Sequence, residues 1–344
     1  MSEQTKRTEL NDLGEFALID HLTRDFPLEN KSSVKGIGDD AAVIDNGNFQ
    51  TVVSTDLLVE GIHFDLTYMP LKHLGYKAVV VNLSDIYAMN AQPKQVTVSL
   101  ALSNRFSVES LEEFYAGIRQ ACDFYKVDLV GGDTTSSLTG LLISVTAVGQ
   151  GEADKLVYRS GAKVGDILCM TGNLGGAYLG LQILEREKQI YLEHPEMQPK
   201  LEGHDYIISR QLKPEARQDT IEQFAKAELV PTSMIDISDG LASEVLHLCK
   251  ASGVGAFVEE GHVMIEQEVF QTALDFRLDP ITCALSGGED YELLFTVDAK
   301  DLEKVRFMND IAIIGEITTV EDGATLHTKG GNIHPLTAQG WKHF

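Results

Sequence analysis

Residues 70–91 read PLKHLGYKAVVVNLSDIYAMNA. The run is apolar over most of its length, and helical spacing puts Asn82 and Asp85, three residues apart, on one face. Ala78 shares that face and Val81 lies beside it, so two polar side chains are embedded in a helix that belongs in a core. A buried carboxylate without a partner is costly. That favours a metal or hydrogen-bonding role for Asp85 over a solvated helix face.

Outward from this helix, strand-like apolar runs lie around 40–45, 50–55, 94–102, 127–131 and 141–149. Residues 107–125 read as a second helix, with Ser107 in its N-terminal cap region beside Ser110 and Glu112. Leu13, Phe16, Ile19 and Leu22 recur at helical spacing within 9–26, which predicts an amphipathic helix. The polar stretch GQGEADKLVYRSGAKVGD, 149–166, is the best boundary, dividing the chain into domains 1–150 and 151–344. Beyond it, ILCMTG and NLGGAYLGLQILEREK read as strand, glycine turn and helix. Residues 189–215, rich in charge and proline, read as a helix pair or an insertion. MIDISDG opens a helix with Leu241, Val245 and Leu248 on one face and Gly253 as its stop. Strand signals return at 254–259, 293–297 and 311–317. Strands and helices alternate irregularly, so the expected class is α+β or mixed α/β rather than a doubly wound sheet.

Acidic residues recur at the ends of apolar or glycine-flanked runs: Asp39 and Asp40 in GIGDD, Asp56 in VVSTD, Asp85, Asp133 in LVGGD, and Asp236 and Asp239 in MIDISDG. Seven carboxylates exceed what one acid–base pair needs. If they converge, hard divalent cations such as Mg²⁺ neutralise them, and phosphate oxygens commonly complete the coordination. Each motif also has a plainer reading. GIGDD fits a simple acidic turn as well as a metal site, and two acids after its second glycine argue against a dinucleotide fingerprint. Ser54, Thr55 and Asp56 supply consecutive oxygens at a strand end. His63 either contacts a phosphate or packs beside Phe64. LVGGDTTSS is either a polar turn or a backbone cradle for phosphate. Asp239 fits an N-cap, although two acids plus Ser238 exceed that need. TGNLGGAY suits an anion at a helix start, and close packing explains it equally well. In LSGGEDYELLF, Glu289 and Asp290 fall in a tight turn that can face a substrate.

Composition narrows the class. The chain has 344 residues, 43% hydrophobic and 23% charged, which is ordinary for a globular protein with a core. A net charge of −24 argues against a nucleic-acid or anionic-membrane surface. Cys122, Cys169, Cys249 and Cys283 form no zinc pattern and read as buried free thiols. The N-terminus lacks a signal-peptide core and no apolar run reaches a membrane span, so a cytoplasmic protein is expected. There is no Walker A motif, no kinase HRD or DFG set and no HExxH. If ATP is used, its phosphates are held mainly through metals.

Taken in order, GIGDDAAV, STDLLVEGIHF, YKAVVVNLSDIYAMNAQP, LVGGDTT, RSGAKVGD, TGNLGGAYLG, IDISDGLASE and LSGGEDYEL resemble the thiamine-monophosphate kinase family. That family is a branch of the superfamily of aminoimidazole ribonucleotide synthetase, selenophosphate synthetase and HypE. The similarity runs from about Gly14 to Phe344. It implies a PurM-like fold, with an N-terminal α+β domain that pairs across a homodimer and a C-terminal α/β domain. It also implies ATP as co-substrate, several Mg²⁺ ions, and γ-phosphoryl transfer onto thiamine monophosphate to give thiamine diphosphate. By motif, the resemblance implies that Asp40, Ser54, Thr55, Asp56, Asp85, Asp133, Asp236 and Asp239 are metal ligands, with Asp39 less direct. It implies nucleotide contacts at Tyr115, Gly132, Asp133, Arg159 and Ser238, and thiamine-phosphate contacts at His63, Glu289 and Trp341. An aromatic face at Trp341 suits a thiazolium cation, and a buried C-terminal anchor is the other reading. One departure is QLKPEAR, which keeps Pro214 and Arg217 but lacks a second proline. The alternatives are another ATP-dependent synthetase of the superfamily and a non-catalytic Mg-nucleotide-binding regulator.

Overall fold

The structure, a computed structural model, describes residues 15–25 and 28–338. In chain order it begins with α1 (Glu15–Thr23), β1 (Ser33–Lys35), β2 (Ala42–Asp45) and β3 (Gln50–Val59). There follow α2 (Leu71–Ala88), β4 (Gln92–Leu102), α3 (Val108–Tyr125), β5 (Asp128–Ser136) and β6 (Leu141–Gly151). The second half holds β7 (Ile167–Thr171), α4 (Gly176–Glu193), α5 (Asp205–Leu212), α6 (Gln218–Lys226), β8 (Ser233–Ile237) and α7 (Leu241–Ser252). It ends with β9 (Gly255–Glu259), α8 (Gln267–Asp275), α9 (Pro280–Ser286), β10 (Glu292–Val297), α10 (Leu302–Arg306), β11 (Ile311–Thr318), β12 (Ala324–His327) and β13 (Ile333–Pro335).

The strands form two sheets. One has six strands in the order β1-β2-β3-β6-β4-β5, the other seven in the order β13-β12-β9-β11-β7-β10-β8. The fold is α+β, as the irregular alternation predicts. In the first sheet, period-two alternation sends Val96, Val98, Leu100, Ile143, Val145 and Ala147 to a buried face covered by α2. The opposite face carries Thr55, Leu57, Ser99 and Ser144, which are exposed or half-buried. Helix α3 lies on α2 at backbone contact. A Cβ on Gly75 would sit 2.0 Å from the Phe114 carbonyl oxygen, and one on Gly117 would sit 1.8 Å from that of Lys72. Ser107 caps α3 by accepting the Ser110 N–H at 3.2 Å.

Helix α2 is buried around almost its whole circumference because it also meets the second sheet. Met234, Leu293 and Phe295 share a core with it, while their alternate neighbours Ile235 and Leu294 pack under α7. Leu241, Val245 and Leu248 are the buried face of α7, and Gly253 ends it at φ 68°. The four cysteines are free and buried. Among the described residues no helix is long and apolar enough to cross a membrane.

Two local expectations need correction. LVGGDTTSS does not follow a strand: it lies within β5, an edge strand exposed along its length. Gly132 is required there by contact, since a Cβ would meet the Val98 carbonyl oxygen at 1.8 Å. The serine, threonine and aspartate at 54–56 lie mid-strand, where β3 runs on to Val59.

Candidate active site

The carboxylate expected of α2 is delivered, half-buried because it faces the cavity. Asp85 shares the interior with Asp40, from the β1–β2 loop, and Asp236, from the end of β8. These three place one oxygen each within 4.8 Å of one another. Each carboxylate is held from behind. Ser54 Oγ donates to Asp85 Oδ2, and Ser84 Oγ donates to Asp236 Oδ2 at 2.8 Å. Asn82 accepts the Asp56 backbone N–H at 3.0 Å and donates its own amide to the Ala78 carbonyl at 3.0 Å. Arg159 Nη2 meets Asp40 Oδ1 at 2.8 Å. The other oxygen of Asp40 is buried with no hydrogen-bond partner.

The electrostatics follow. Burial and the neighbouring Asp56, Asp236 and Asp40 charges push Asp85 well above the usual carboxylate range. Burial, then the Asp40 charge, raises Asp236 to about 8. Burial also raises Asp40, against the opposing pull of Arg159. One arginine does not balance this set, and an oxygen-rich, under-neutralised, preformed cluster fits a hard divalent cation.

Asp39 has a separate task. Its Oδ1 accepts the Arg159 backbone N–H at 3.0 Å and Lys35 lies 3.2 Å from Oδ2, so it pins the loop to the second half of the chain. Asp239 is not an N-cap: α7 is capped at Gly240 without a side-chain bond. The Asp239 backbone N–H instead donates to Glu244 Oε1 at 3.0 Å. Glu244 is itself buried and raised well above the usual range by burial and then by Asp239 and Asp236. Sequence reading passed over Glu244 and Ser84, although each lies within five residues of a motif aspartate. The glycine turn before α4 does hold an anion, but it is the protein's own Asp290, which accepts from Gly175 N at 2.7 Å and Ala177 N at 3.3 Å.

A cavity of about 1640 Å³ joins this cluster to the SGGED loop. Asp40, Ser54, Thr55, Asp56, Asp85, Arg159, Asp236, Ser238 and Asp239 line it, and so do His63 and Glu289. His63 Nδ1 accepts the Val59 N–H at 3.0 Å, which fixes the ring at the cavity wall. The Thr55 hydroxyl takes the opposite strand face, donating to the Val145 carbonyl at 3.0 Å. Three expected site residues are not brought in. Tyr115 is on the exposed side of α3, and Gly132 and Asp133 are on β5, outside the described lining. Rows pairing Asp56 with Val145, Val145 with Val98 and Val98 with Gly132 put them three strands away, about 14 Å. Trp341 lies outside the described residues.

Residues 38–150 match the family AIR synthase related protein, N-terminal domain. The thiamine-monophosphate kinase of Aquifex aeolicus (strain VF5) is 37% identical over 335 residues, which cover 97% of this chain and 99% of that one. The chain belongs to the thiamine-monophosphate kinase family. The family member from Escherichia coli (strain K12) is 35% identical, with 96% of this chain and 98% of that one covered. A solved structure of the family, AaThiL complexed with AMPPCP and TMP, superposes with a TM-score of 0.83 at 34% identity, covering 99% of this chain and 100% of that one. The hydrogenase maturation protein HypE in complex with ATP shares the fold, with a TM-score of 0.68 at 20% identity over 95% of this chain and 96% of that one.

Proposed function

We infer that this chain catalyses ATP-dependent phosphorylation of thiamine monophosphate to thiamine diphosphate. The observation that carries the reading is its full-length likeness to a family structure holding an ATP analogue and TMP. The buried carboxylate cluster opening into the same cavity as His63 and Glu289 supports it. A phosphate oxygen of the acceptor forms a bond to the γ-phosphorus of ATP as the bond to the β–γ bridging oxygen breaks, and ADP leaves. The attacking oxygen is already anionic, so little general-base help is needed. The work is positioning and charge neutralisation.

Asp40, Asp85 and Asp236, with Ser54, Asp56 and Asp239 around them, would hold Mg²⁺. When bound, the cations neutralise phosphate charge and orient the transferring group. Arg159 adds a fixed cation beside Asp40, suited to nucleotide phosphate. Glu244 holds the backbone of Asp239, and Ser84 orients Asp236. His63 and Glu289, and Trp341 at the chain's end, are the thiamine-phosphate contacts of this reading. Ser238 serves the nucleotide.

The working unit is a homodimer. The open face and bare β5 edge of the first sheet are surfaces that a second copy would cover. Asp133 shares that open face with Leu57, Ser99 and Ser144, as does the Thr55 side chain. Pairing two copies face to face would let Gly132, Asp133 and Tyr115 of one serve the cleft of the other. The division near 150 into an N-terminal metal-binding domain and a C-terminal domain completing the cleft belongs to the same reading. Each sheet falls on one side of that boundary.

Initial rates with two acceptors test the reaction. Thiamine monophosphate should release ADP in step with thiamine diphosphate, and unphosphorylated thiamine should be a poor acceptor. Equal turnover of both would overturn the assignment.

A further inference from the structure

Glu289 and Tyr291 flank Asp290 at φ 66° and 52°, a left-handed backbone that non-glycine residues rarely take. Such conformations persist where the surroundings over-determine them. Here they do. The Glu289 N–H donates to the Ser238 carbonyl at 2.7 Å. Its Oε1 lies 3.0 Å from Lys77 Nζ, and its Oε2 accepts from Gln211 Nε2 at 2.8 Å. Lys77 also donates to the Gln211 backbone carbonyl at 3.0 Å, closing a triangle between α2, α5 and the SGGED loop. The Lys77 side chain is 1% exposed and that of Glu289 27%, so the carboxylate forms cavity wall and the ammonium lies behind it.

An ammonium is a poor choice for stability at a buried position of α2. A well-packed apolar residue often does as well or better, while a fixed buried pair can specify one arrangement. Lys77 and Gln211 each engage one oxygen of Glu289, and a carboxylate retains further lone pairs for a donor presented from the cavity. Arg210, the neighbour of Gln211 on α5, donates to the Asp290 carbonyl at 2.9 Å and holds the next residue of the loop.

We propose that Lys77 is a positioning residue for the acceptor end of the site, fixing the Glu289 carboxylate, with Gln211, in the one orientation that recognises thiamine monophosphate. The proposal rests on the assignment of Glu289 to that substrate. The test compares Lys77→Met, Glu289→Gln and the double variant by steady-state kinetics, after melting curves establish folding. Lys77→Met should raise KM for thiamine monophosphate about 10-fold, as expected within one buried network, and leave KM for ATP unchanged. The double variant should be no worse than Glu289→Gln alone. Equal rises in both KM values, or effects that multiply, would reduce Lys77 to a packing residue. A silent Glu289→Gln would remove the assignment of Glu289, and the proposal with it. A large Glu289→Gln effect beside a silent Lys77→Met would remove only the role of Lys77. Should Lys77→Met fail to fold, Gln211→Leu removes the other tether and carries the same expectation and the same contrary result.

Discussion

At the residue scale the site is a group of acids held by neutral hydrogen-bond partners and by Arg159. Ser54 and Ser84 donate to Asp85 and Asp236 without charge, Asn82 accepts the Asp56 backbone N–H, and Arg159 pairs with Asp40. Much of the repulsion among Asp40, Asp85 and Asp236 is therefore one that a bound cation would relieve. Asp236→Asn should lower kcat about 100- to 1,000-fold, the usual loss when one preorganised charge-stabilising group is removed. The metal-free melting temperature near pH 7 should hold or rise, because asparagine removes the cost of protonating a buried carboxylate on folding. If the variant unfolds while its folded fraction keeps full activity, the aspartate is structural. Ser84→Ala should weaken Mg²⁺ binding about 10- to 100-fold, as for other groups that orient a ligand; titration calorimetry reads this directly, and unchanged affinity counts against the role given to Ser84. pH tests the same electrostatics. Asp236 holds its proton up to about 8 in the fold, whereas in the unfolded chain it titrates in the ordinary carboxylate range. Between those values the folded state binds more protons than the unfolded one, so metal-free stability should fall as pH rises from about 5 to about 8. A melting temperature that climbs over that window would show the cluster is not proton-loaded. The carboxylates were legible in sequence because each stands at or near the end of an apolar or glycine-flanked run. Ser84 and Lys77 were not, since their importance comes from neighbours far along the chain; Glu244 was passed over although its partner Asp239 is five residues away.

At the element scale α2 lies between the two sheets and carries Asn82 and Asp85. Its polar face read correctly from Asn82 and Asp85, because a helix that keeps oxygens among valines needs a reason. Its near-complete burial did not, since that depends on a second sheet contributed from residues 233–297. The α2–α3 crossing depends on Gly75 and Gly117. Gly117→Ala places a methyl group 1.8 Å from the Lys72 carbonyl oxygen, and overpacking of this kind costs about 1–3 kcal/mol. Chemical denaturation should show that loss, with kcat falling as Asp85 shifts; a variant as stable as the parent would mean the helices can separate freely. Strand β5 shows the reverse limit. Its paired glycines and hydroxyls resemble a loop because a bare edge strand has no apolar face to display.

At the scale of the whole molecule the chain is −24 in charge yet reads as an enzyme of two anionic substrates. On the proposed reading, Arg159 and bound metal would offset that repulsion at the site. The homodimer account makes a separate prediction. Asp56→Asn and Asp133→Asn should each be inactive alone, yet mixing them should restore part of the activity, because a mixed dimer carries one complete site. Recovery absent under conditions where subunits exchange would put both residues in the same chain's cleft. The measurement that tests the central claim most directly follows the label from γ-labelled ATP, with thiamine monophosphate, in Mg²⁺ and again in excess chelator. The account predicts label in thiamine diphosphate with Mg²⁺ and none with chelator. Label released as inorganic phosphate regardless of acceptor, or transfer that survives complete metal removal, would contradict it.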